Sequence, residues 1–125
     1  MKDKALKILA VDDDMINLKL LKSMLKKSPR VDDVVEAKNG ADAIAVLKTQ
    51  DDIDIVLLDI IMPIMGGIEM LRVVRADETL HHLPIIVLTT DETKKAEALE
   101  CGANGFLMKP IRERDVMSQI EKLIF

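Results

Sequence analysis

The chain has 125 residues, of which 49% are hydrophobic and 32% are charged. This length suits a single domain spanning residues 1–125, and the balance of apolar and charged residues excludes intrinsic disorder. The net charge of -4 repels phosphate backbones and anionic lipid, so we expect no direct binding to nucleic acid and no attachment to a membrane.

The cysteine content and the amino-terminal end indicate a location in the cytoplasm. Cys101 is the one cysteine of the chain, so an internal disulfide is excluded and a reducing compartment is favoured. Residues 1–4 lead into only a short apolar run, and no stretch approaches the ~20 apolar residues of a membrane span. We therefore expect neither a signal peptide nor a membrane anchor.

Short apolar runs alternate with helical patterns along the chain. The apolar runs predict five strands, at residues 6–11, 34–37, 53–58, 85–88 and 105–108. A helix is predicted after each strand. The first is marked by Leu18, Leu21 and Leu25, and the second by Ala41, Ile44 and Ala45. The third and fourth cover residues 68–74 and 92–101, and the fifth is marked by Val116, Ile120, Leu123 and Ile124. The sequence thus consists of five strand–helix units.

The continuous apolar character of the strands indicates a sheet that is covered on both faces. Strands joined by helices run parallel, with right-handed crossovers. The predicted fold is therefore α/β, a doubly wound five-stranded parallel sheet with five helices in a three-layer sandwich. Ligands bind beyond the carboxyl ends of the strands in such sheets, so functional residues are expected just after positions 11, 58, 88 and 108.

Polar side chains follow four of the predicted strands. Asp12 and Asp13 follow the first strand, Asp59 the third, Thr89 the fourth and Lys109 the fifth. Carboxylates ~5 Å apart repel each other by about 3 kcal/mol at an effective dielectric near 20, so a cation is expected among them. An open, all-oxygen site suits Mg²⁺, or Mn²⁺ in its place. Asp59 is then a nucleophile toward phosphorus, assisted by positive charge from Lys109 and a hydrogen bond from Thr89.

Simpler structural roles account for other polar residues nearby. An aspartate after a strand is most often a turn residue or a helix cap, and we assign the cap of the first helix to Asp14. The tandem pair His81-His82 falls in a predicted loop between a helix and a strand, where we expect solvated side chains. The joint position of the other acids, the threonine and the lysine favours a phosphoacceptor site.

Four motifs contain these polar residues: Val11-Asp12-Asp13-Asp14, Leu58-Asp59-Ile60-Ile61-Met62-Pro63-Ile64-Met65-Gly66-Gly67, Leu88-Thr89-Thr90 and Lys109-Pro110. With them, the sequence resembles the receiver domain of two-component response regulators, such as the chemotaxis regulators, over essentially its full length. The resemblance implies the strand order 2-1-3-4-5 and a cis peptide bond between Lys109 and Pro110.

The resemblance also implies a phosphorelay chemistry for the acidic residues. Asp59 would be phosphorylated by a histidine kinase or a phosphotransfer protein. Asp13, Asp59 and the backbone carbonyl of Ile61 would bind Mg²⁺, with Asp12 as a further metal ligand that acts largely through water.

Switching and hydrolysis are likewise implied by the resemblance. Thr89 and Lys109 would bind the phosphoryl oxygens, and Thr89 and Phe106 would form the switch. Ile61 and Asp91 occupy positions that tune hydrolysis in this family. The surface formed by the fourth helix, the fifth strand and the fifth helix would then engage a downstream target protein or an output domain.

Other functions fit the sequence less well. A pseudo-receiver that only binds proteins is the main alternative, but it should lack part of the acid, threonine and lysine set, which is complete here. A haloacid-dehalogenase-like phosphatase needs a hydroxyl after its acids, and a nucleotide-binding protein needs a glycine-rich loop. We expect a signalling domain rather than an enzyme with a separate substrate, either free-standing or part of a longer chain.

Overall fold

The computed structural model describes residues 5–125. The expectation about a signal peptide depends partly on residues 1–4, which lie outside the described residues. A single sheet of five parallel strands has the order β2-β1-β3-β4-β5. The elements are β1 (Leu6–Val11), α1 (Met15–Lys26), β2 (Val31–Ala37), α2 (Gly40–Thr49), β3 (Ile55–Asp59), α3 (Gly67–Ala76), β4 (Ile85–Thr89), a 3-10 turn η1 (Glu92–Lys94), α4 (Lys95–Glu100), β5 (Gly105–Met108) and α5 (Glu113–Ile124). The predicted fold class and the implied strand order are confirmed.

The sheet separates two apolar cores. Along β3, Val56 and Leu58 belong to the core that also contains buried residues of α2, α3 and α4. Ile55 and Leu57 belong to the opposite core, which contains buried residues of α1 and α5. Since successive side chains of a strand point to opposite faces, a strand buried on both faces must be apolar at every position.

Several elements differ in detail from the prediction, among them β3, which begins at Ile55 and not at residue 53. Strand β2 begins at Val31, three residues before the predicted start, because Val31 is itself buried and pairs with Leu6 of β1. Helix α2 buries Ala43 and Leu47, whereas the predicted marker Ala45 is exposed. The predicted fourth helix is divided into η1 and the six-residue α4.

Side-chain caps define where two of the helices begin. Asp14 Oδ1 accepts hydrogen bonds from the backbone N–H groups of Ile16 and Asn17, at 2.8 and 3.3 Å. This arrangement confirms the cap predicted for Asp14. At α2, Asn39 Oδ1 accepts from the backbone N–H of Asp42 at 2.8 Å. Each cap satisfies a backbone donor that has no partner within its own helix.

The helices of the described part of the chain are short. None of those between residues 5 and 125 combines the length and the apolar character that crossing a membrane requires.

Gly67 allows α3 to begin against the end of β3. A β-carbon added at this position would overlap the carbonyl oxygen of Asp59 and lie 2.9 Å from the Cα atom of Ile60. We expect Gly67→Ala to lower the free energy of unfolding by about 1–3 kcal/mol, because backbone rather than a flexible side chain must move. Urea denaturation measures this change.

Gly66→Ala is the matched comparison. Its added β-carbon would lie 3.1 Å from the carbonyl oxygen of Ile60, which demands a much smaller shift. We expect a smaller loss of stability than for Gly67→Ala, and equal stability of the wild type and Gly67→Ala would contradict the proposed close contact.

Candidate functional site

The carboxyl ends of four adjacent strands bring the predicted polar residues to one edge of the sheet. Val11 of β1 pairs with Leu58 of β3, so Asp12 and Asp59 follow two paired residues on neighbouring strands. Beyond β3, Thr89 ends β4 and pairs with the last residue of β5. The four segments that the sequence predicted to supply the site therefore meet at this edge.

Three carboxylates form a compact group at this edge, which we call the acidic cluster. Asp12, Asp13 and Asp59 each offer a carboxylate oxygen, and these oxygens lie within 4.8 Å of one another. Asp12 is 7% exposed, Asp59 is partly buried and Asp13 is exposed. The donors are all hard oxygen atoms with an open side toward solvent, which is the ligand chemistry that suits Mg²⁺.

Lys109 already supplies one positive charge to the acidic cluster. Its Nζ atom lies 3.0 Å from Asp12 Oδ2 and 3.4 Å from Asp59 Oδ1. Asp12 is further held by its other oxygen, Oδ1, which accepts the backbone N–H of Asp14 at 2.9 Å. The repulsion expected from the sequence is therefore offset partly within the chain, and three carboxylates still outnumber one ammonium group.

The environment shifts the protonation equilibria of this group. Burial raises the pKa of the Asp59 carboxyl above its ordinary value, and the negative charge of Asp12 adds to the effect against the opposing attraction of Lys109. Burial by itself lowers the pKa of Lys109, but the hydrogen bond to Asp12 and the charge of Asp59 raise it overall. Lys109 is therefore a permanent ammonium group at neutral pH, held beside two acids.

The backbone fixes where Lys109 emerges from the sheet. Its N–H donates to the carbonyl oxygen of Thr89 at 2.8 Å, which extends the pairing of β5 with β4 by one residue. The peptide bond between Lys109 and Pro110 is cis, as the resemblance implies.

Thr89 is buried at the end of β4 and faces the beginning of the next helical segment. It is 1% exposed, and its Oγ1 accepts the backbone N–H of Asp91 at 3.1 Å. Phe106, the other predicted switch residue, is partly buried on β5 and pairs with Val87 of β4. The Nζ of Lys95 lies 6.0 Å from the centre of the Phe106 ring.

The two residues predicted to tune hydrolysis have different surroundings. Ile61 is 65% exposed in the loop after Asp59. Asp91 directs its Oδ1 at Thr93, accepting the backbone N–H at 3.0 Å and the side-chain hydroxyl at 2.5 Å. One of its carboxylate oxygens is therefore engaged in capping η1.

Sequence reasoning missed a rim of exposed apolar side chains beside the acidic cluster. We call this set, which follows β1 and β3, the apolar rim: Met15, Ile16, Leu20, Ile61 and Ile64. The signal was present in the sequence, because Met15, Ile16 and Leu20 lie off the face that α1 buries through Leu18 and Leu25. Exposed apolar side chains are candidates for contact with another protein.

The backbone holds one member of the rim away from the core. Ile64 has a φ angle of 67°, a left-handed value that is unfavourable for a β-branched residue, and its side chain is 83% exposed. The N–H of Met65 reaches back to the carbonyl oxygen of Pro63 at 2.7 Å and closes a tight turn around Ile64. Such strain is concentrated at functional sites in proteins.

A groove of about 730 Å³ adjoins the acidic cluster, between α1 and the segment that precedes α5. Asp12 and Lys109 are among its lining residues, and Leu20, Met24 and Ile111 supply part of its apolar lining. The acidic cluster therefore adjoins a groove with both polar and apolar lining residues.

The tandem histidines do not belong to this site. His81 and His82 are exposed, as predicted, and lie between α3 and β4, at the opposite edge of the sheet.

Comparison with known proteins decides the family. The model of the response regulator receiver domain matches residues 8–121. The chain belongs to the response regulator receiver family. The chemotaxis protein CheY-3 of Vibrio cholerae is 34% identical to this receiver over 123 residues, which cover 97% of this chain and 93% of that protein.

Other relatives carry the same unit in different settings. The hybrid signal transduction histidine kinase M of Dictyostelium discoideum is 39% identical over 125 residues, covering 94% of this receiver but 5% of the kinase. The crystallised chemotaxis protein CheY4 of Vibrio cholerae superposes with a TM-score of 0.85 at 29% identity, covering 95% of this receiver and 98% of that chain. This receiver is thus a signalling domain of the two-component and chemotaxis type.

Proposed function

We propose that residues 1–125 act as one receiver unit that accepts a phosphoryl group on Asp59 from a histidine kinase or a phosphotransfer protein. The observation that carries this proposal is the position of Lys109, whose ammonium group contacts both Asp12 and Asp59. A carboxylate nucleophile beside a fixed cation, with buried Thr89 at the end of the neighbouring strand, is suited to phosphoryl transfer.

The metal requirement follows from the donors of the acidic cluster. Asp12, Asp13, Asp59 and the backbone carbonyl of Ile61 would hold Mg²⁺, or Mn²⁺ in its place. When bound, the ion neutralises negative charge on the phosphoryl oxygens. Lys109 compensates one of the three negative charges of the acids. A bound divalent ion would compensate the other two and bring the net charge of the group close to zero.

The chain's own residues supply nucleophile, cation and hydrogen-bond donor. A carboxylate oxygen of Asp59 forms a bond to phosphorus while the bond from phosphorus to the histidine nitrogen of the donor breaks. Lys109 neutralises charge that develops on the phosphoryl oxygens, and the hydroxyl of Thr89 donates a hydrogen bond to one of them. The domain would catalyse only the phosphorylation and dephosphorylation of its own aspartate.

Output is proposed to pass through Thr89 and Phe106 to the surface formed by α4, β5 and α5. A downstream target protein or an output domain would bind there. Ile61 and Asp91 are proposed to tune hydrolysis of the phosphoryl group: exposed Ile61 limits the approach of water, and Asp91 acts from the start of η1.

Acetyl phosphate with Mg²⁺ tests the proposal against the pseudo-receiver alternative. The expected product carries one phosphoryl group per chain, attached as an acyl phosphate that survives acid and is lost in base. Intact-protein mass spectrometry before and after base treatment measures it. A chain that gains no phosphoryl group under these conditions would be a protein-binding module instead.

The apolar rim is proposed to bind the phosphodonor protein. Any protein that brings a phosphorylated histidine to Asp59 must cover the surface around the acidic cluster, and the rim residues border it after β1 and after β3. Apolar contacts at the centre of an interface also exclude water from the reacting groups.

Ile16→Glu separates donor docking from the chemistry at Asp59. Ile16 is 70% exposed, so the substitution should leave the fold intact. We expect phosphotransfer from a histidine kinase that phosphorylates the wild type to fall about tenfold or more, while labelling by acetyl phosphate stays unchanged. Timed radiolabel transfer measures both reactions.

Val73→Glu is the control, because Val73 is an exposed apolar residue on α3, outside the rim. It should leave transfer from both donors at the wild-type rate. Unchanged kinase transfer in Ile16→Glu would contradict the docking role of the rim.

A further inference from the structure

The loop of residues 61–66, which lies between β3 and α3, contains a strained turn. The N–H of Met65 donates to the carbonyl oxygen of Pro63, and Ile64 between them has a φ angle of 67°. A three-residue turn with a positive central φ angle is the strained form of the γ-turn. Such a conformation persists only where the surrounding structure holds it.

The first residue of α2 supplies a hold on this loop. The backbone N–H of Gly40 donates to the carbonyl oxygen of Met65 at 2.8 Å. Among the backbone hydrogen bonds of residues 5–125, this is the one that joins the loop to an element other than β3 and α3. The first N–H groups of a helix have no partner inside the helix. The bond therefore satisfies a donor of α2 and fixes the loop to α2.

The contact requires that residue 40 has no side chain. A β-carbon added at Gly40 would lie 2.7 Å from Cγ of Met65 and 2.9 Å from both its sulfur and its carbonyl oxygen. The side-chain atoms of Met65 are flexible, but the carbonyl oxygen belongs to the backbone and accepts the hydrogen bond from Gly40. A side chain at position 40 must therefore displace the backbone of the loop.

The beginning of α2 is itself well fixed. Asn39 is 6% exposed, and its side chain caps the helix through the N–H of Asp42. The carbonyl oxygen of Asn39 also accepts the N–H of Ala43, which is buried in the core beside α2. Met65 packs partly buried against the same core. The loop is thus attached to a capped and packed helix end.

We propose that Gly40 is a positioning residue for the metal site, acting through the loop. Asp59 is fixed in β3 by its pairing with Leu88, and Met65 is fixed by Gly40. Ile61, whose backbone carbonyl is the proposed metal ligand, lies on the short stretch between these two fixed points. The hold at Gly40 therefore helps to determine where that carbonyl lies. This role rests on the proposed binding of Mg²⁺.

Gly40→Ala tests the close contact. Alanine is a better helix former than glycine, so α2 itself should not be weakened, while the added β-carbon displaces the carbonyl of Met65. We expect the Kd for Mg²⁺ to rise about tenfold, as for the loss of a support behind a metal ligand. Isothermal titration calorimetry on the full chain without a phosphodonor measures it. An unchanged Kd would overturn the proposal.

Gly40→Pro removes the N–H itself. Proline is favoured at the first position of a helix. The preceding residue, Asn39, has the extended backbone that proline requires of its neighbour, with a φ of -161° and a ψ of 174°. The Kd for Mg²⁺ should rise at least as much as in Gly40→Ala. If Gly40→Pro fails to fold, the result for Gly40→Ala decides.

Ala45→Gly is the matched control within α2. Ala45 is exposed, and glycine at this position weakens the helix without touching the loop. Urea denaturation should show a lower free energy of unfolding, whereas the Kd for Mg²⁺ should equal that of the wild type. A rise in Kd as large as that of Gly40→Ala would assign the effect to α2 in general and overturn the role of Gly40.

NMR spectra of the metal-free proteins locate the change. In Gly40→Ala, the amide resonance of Ile61 should shift relative to the wild type, although Ile61 lies across the turn from Met65. The amide resonances of β5 should stay at their wild-type frequencies. An unshifted Ile61 amide would show that the hold at Gly40 does not reach the proposed ligand, and would overturn the proposal.

Phosphorylation by acetyl phosphate separates positioning from chemistry. In Gly40→Ala, the Mg²⁺ concentration that gives half the maximal rate should rise about tenfold. The rate at saturating Mg²⁺ should match the wild type, because Asp59, Thr89 and Lys109 are unchanged. A lower maximal rate with an unchanged Mg²⁺ dependence would overturn the positioning role. A wild type that binds Mg²⁺ but gains no phosphoryl group would contradict the proposed function alone, since the Kd values still decide the role of Gly40.

Discussion

Asp59→Asn is expected to abolish phosphorylation by acetyl phosphate and Mg²⁺. The substitution keeps the shape of the side chain but replaces the anionic nucleophile with an amide, which does not form an acyl phosphate. Asp12 does not substitute for it, because its carboxylate is held by Lys109 and by the N–H of Asp14. Phosphoryl content per chain, measured by intact mass after equal incubation, should be one for the wild type and zero for the variant.

Asp14→Asn is the matched control. Asp14 is an exposed carboxylate beside the acidic cluster that caps α1, and asparagine is an equally good cap. This variant should be phosphorylated like the wild type. A phosphoryl group retained by Asp59→Asn would assign the acceptor role to another residue and contradict the proposed site.

Lys109→Met is expected to slow phosphorylation of Asp59 by about 100-fold or more, the typical effect of removing one fixed group that stabilises transition-state charge. Methionine keeps much of the length of the side chain but removes the ammonium group between Asp12 and Asp59. The rate of phosphoryl incorporation from acetyl phosphate at saturating Mg²⁺ measures the effect.

The same variant should also be less stable without metal. Burial holds the pKa of Asp59 above its ordinary value of 3.8, so ionised Asp59 destabilises the fold as the pH rises through that raised pKa, and removal of Lys109 increases this penalty. We therefore expect the free energy of unfolding of Lys109→Met to fall below that of the wild type at neutral pH. The difference should shrink as the pH falls through the raised pKa of Asp59 toward 3.8, because Asp59 is then protonated in the folded state of both proteins.

Lys38→Met provides the comparison for both measurements. Lys38 follows β2, at the same edge of the sheet, and is exposed. Lys38→Met should change neither the rate of phosphorylation of Asp59 nor the free energy of unfolding appreciably. A Lys109→Met protein with the wild-type rate would contradict the charge-neutralising role of Lys109.

The strands and the position of the site were predictable for a simple physical reason. Strands buried on both faces must be largely apolar, so β3 and β4 appear in the sequence as uninterrupted apolar runs and β1 as a run broken only by Lys7. Since parallel strands place their carboxyl ends at one edge, the residues that follow those runs had to lie together. Strand order came from the resemblance to receiver domains rather than from the apolar pattern, because that pattern is the same in every order.

Other features depended on contacts between segments that are distant in sequence. The burial of Ala43 and Leu47 in place of Ala45 followed from the orientation in which α2 packs on the sheet. The role of Asp91 as a cap, and the direction of its carboxylate toward Thr93, depended on where η1 begins.

The sequence by itself determined that this protein is a parallel α/β receiver with its acids, threonine and lysine at one sheet edge. Periodicity and strand-end position are local properties, and they are readable residue by residue. Only the tertiary structure decided that Lys109 bridges Asp12 and Asp59 and that Arg75 anchors the end of α4. These contacts join residues that are 27 to 97 positions apart in the sequence. Local propensity carries no information about contacts between residues so far apart in the chain.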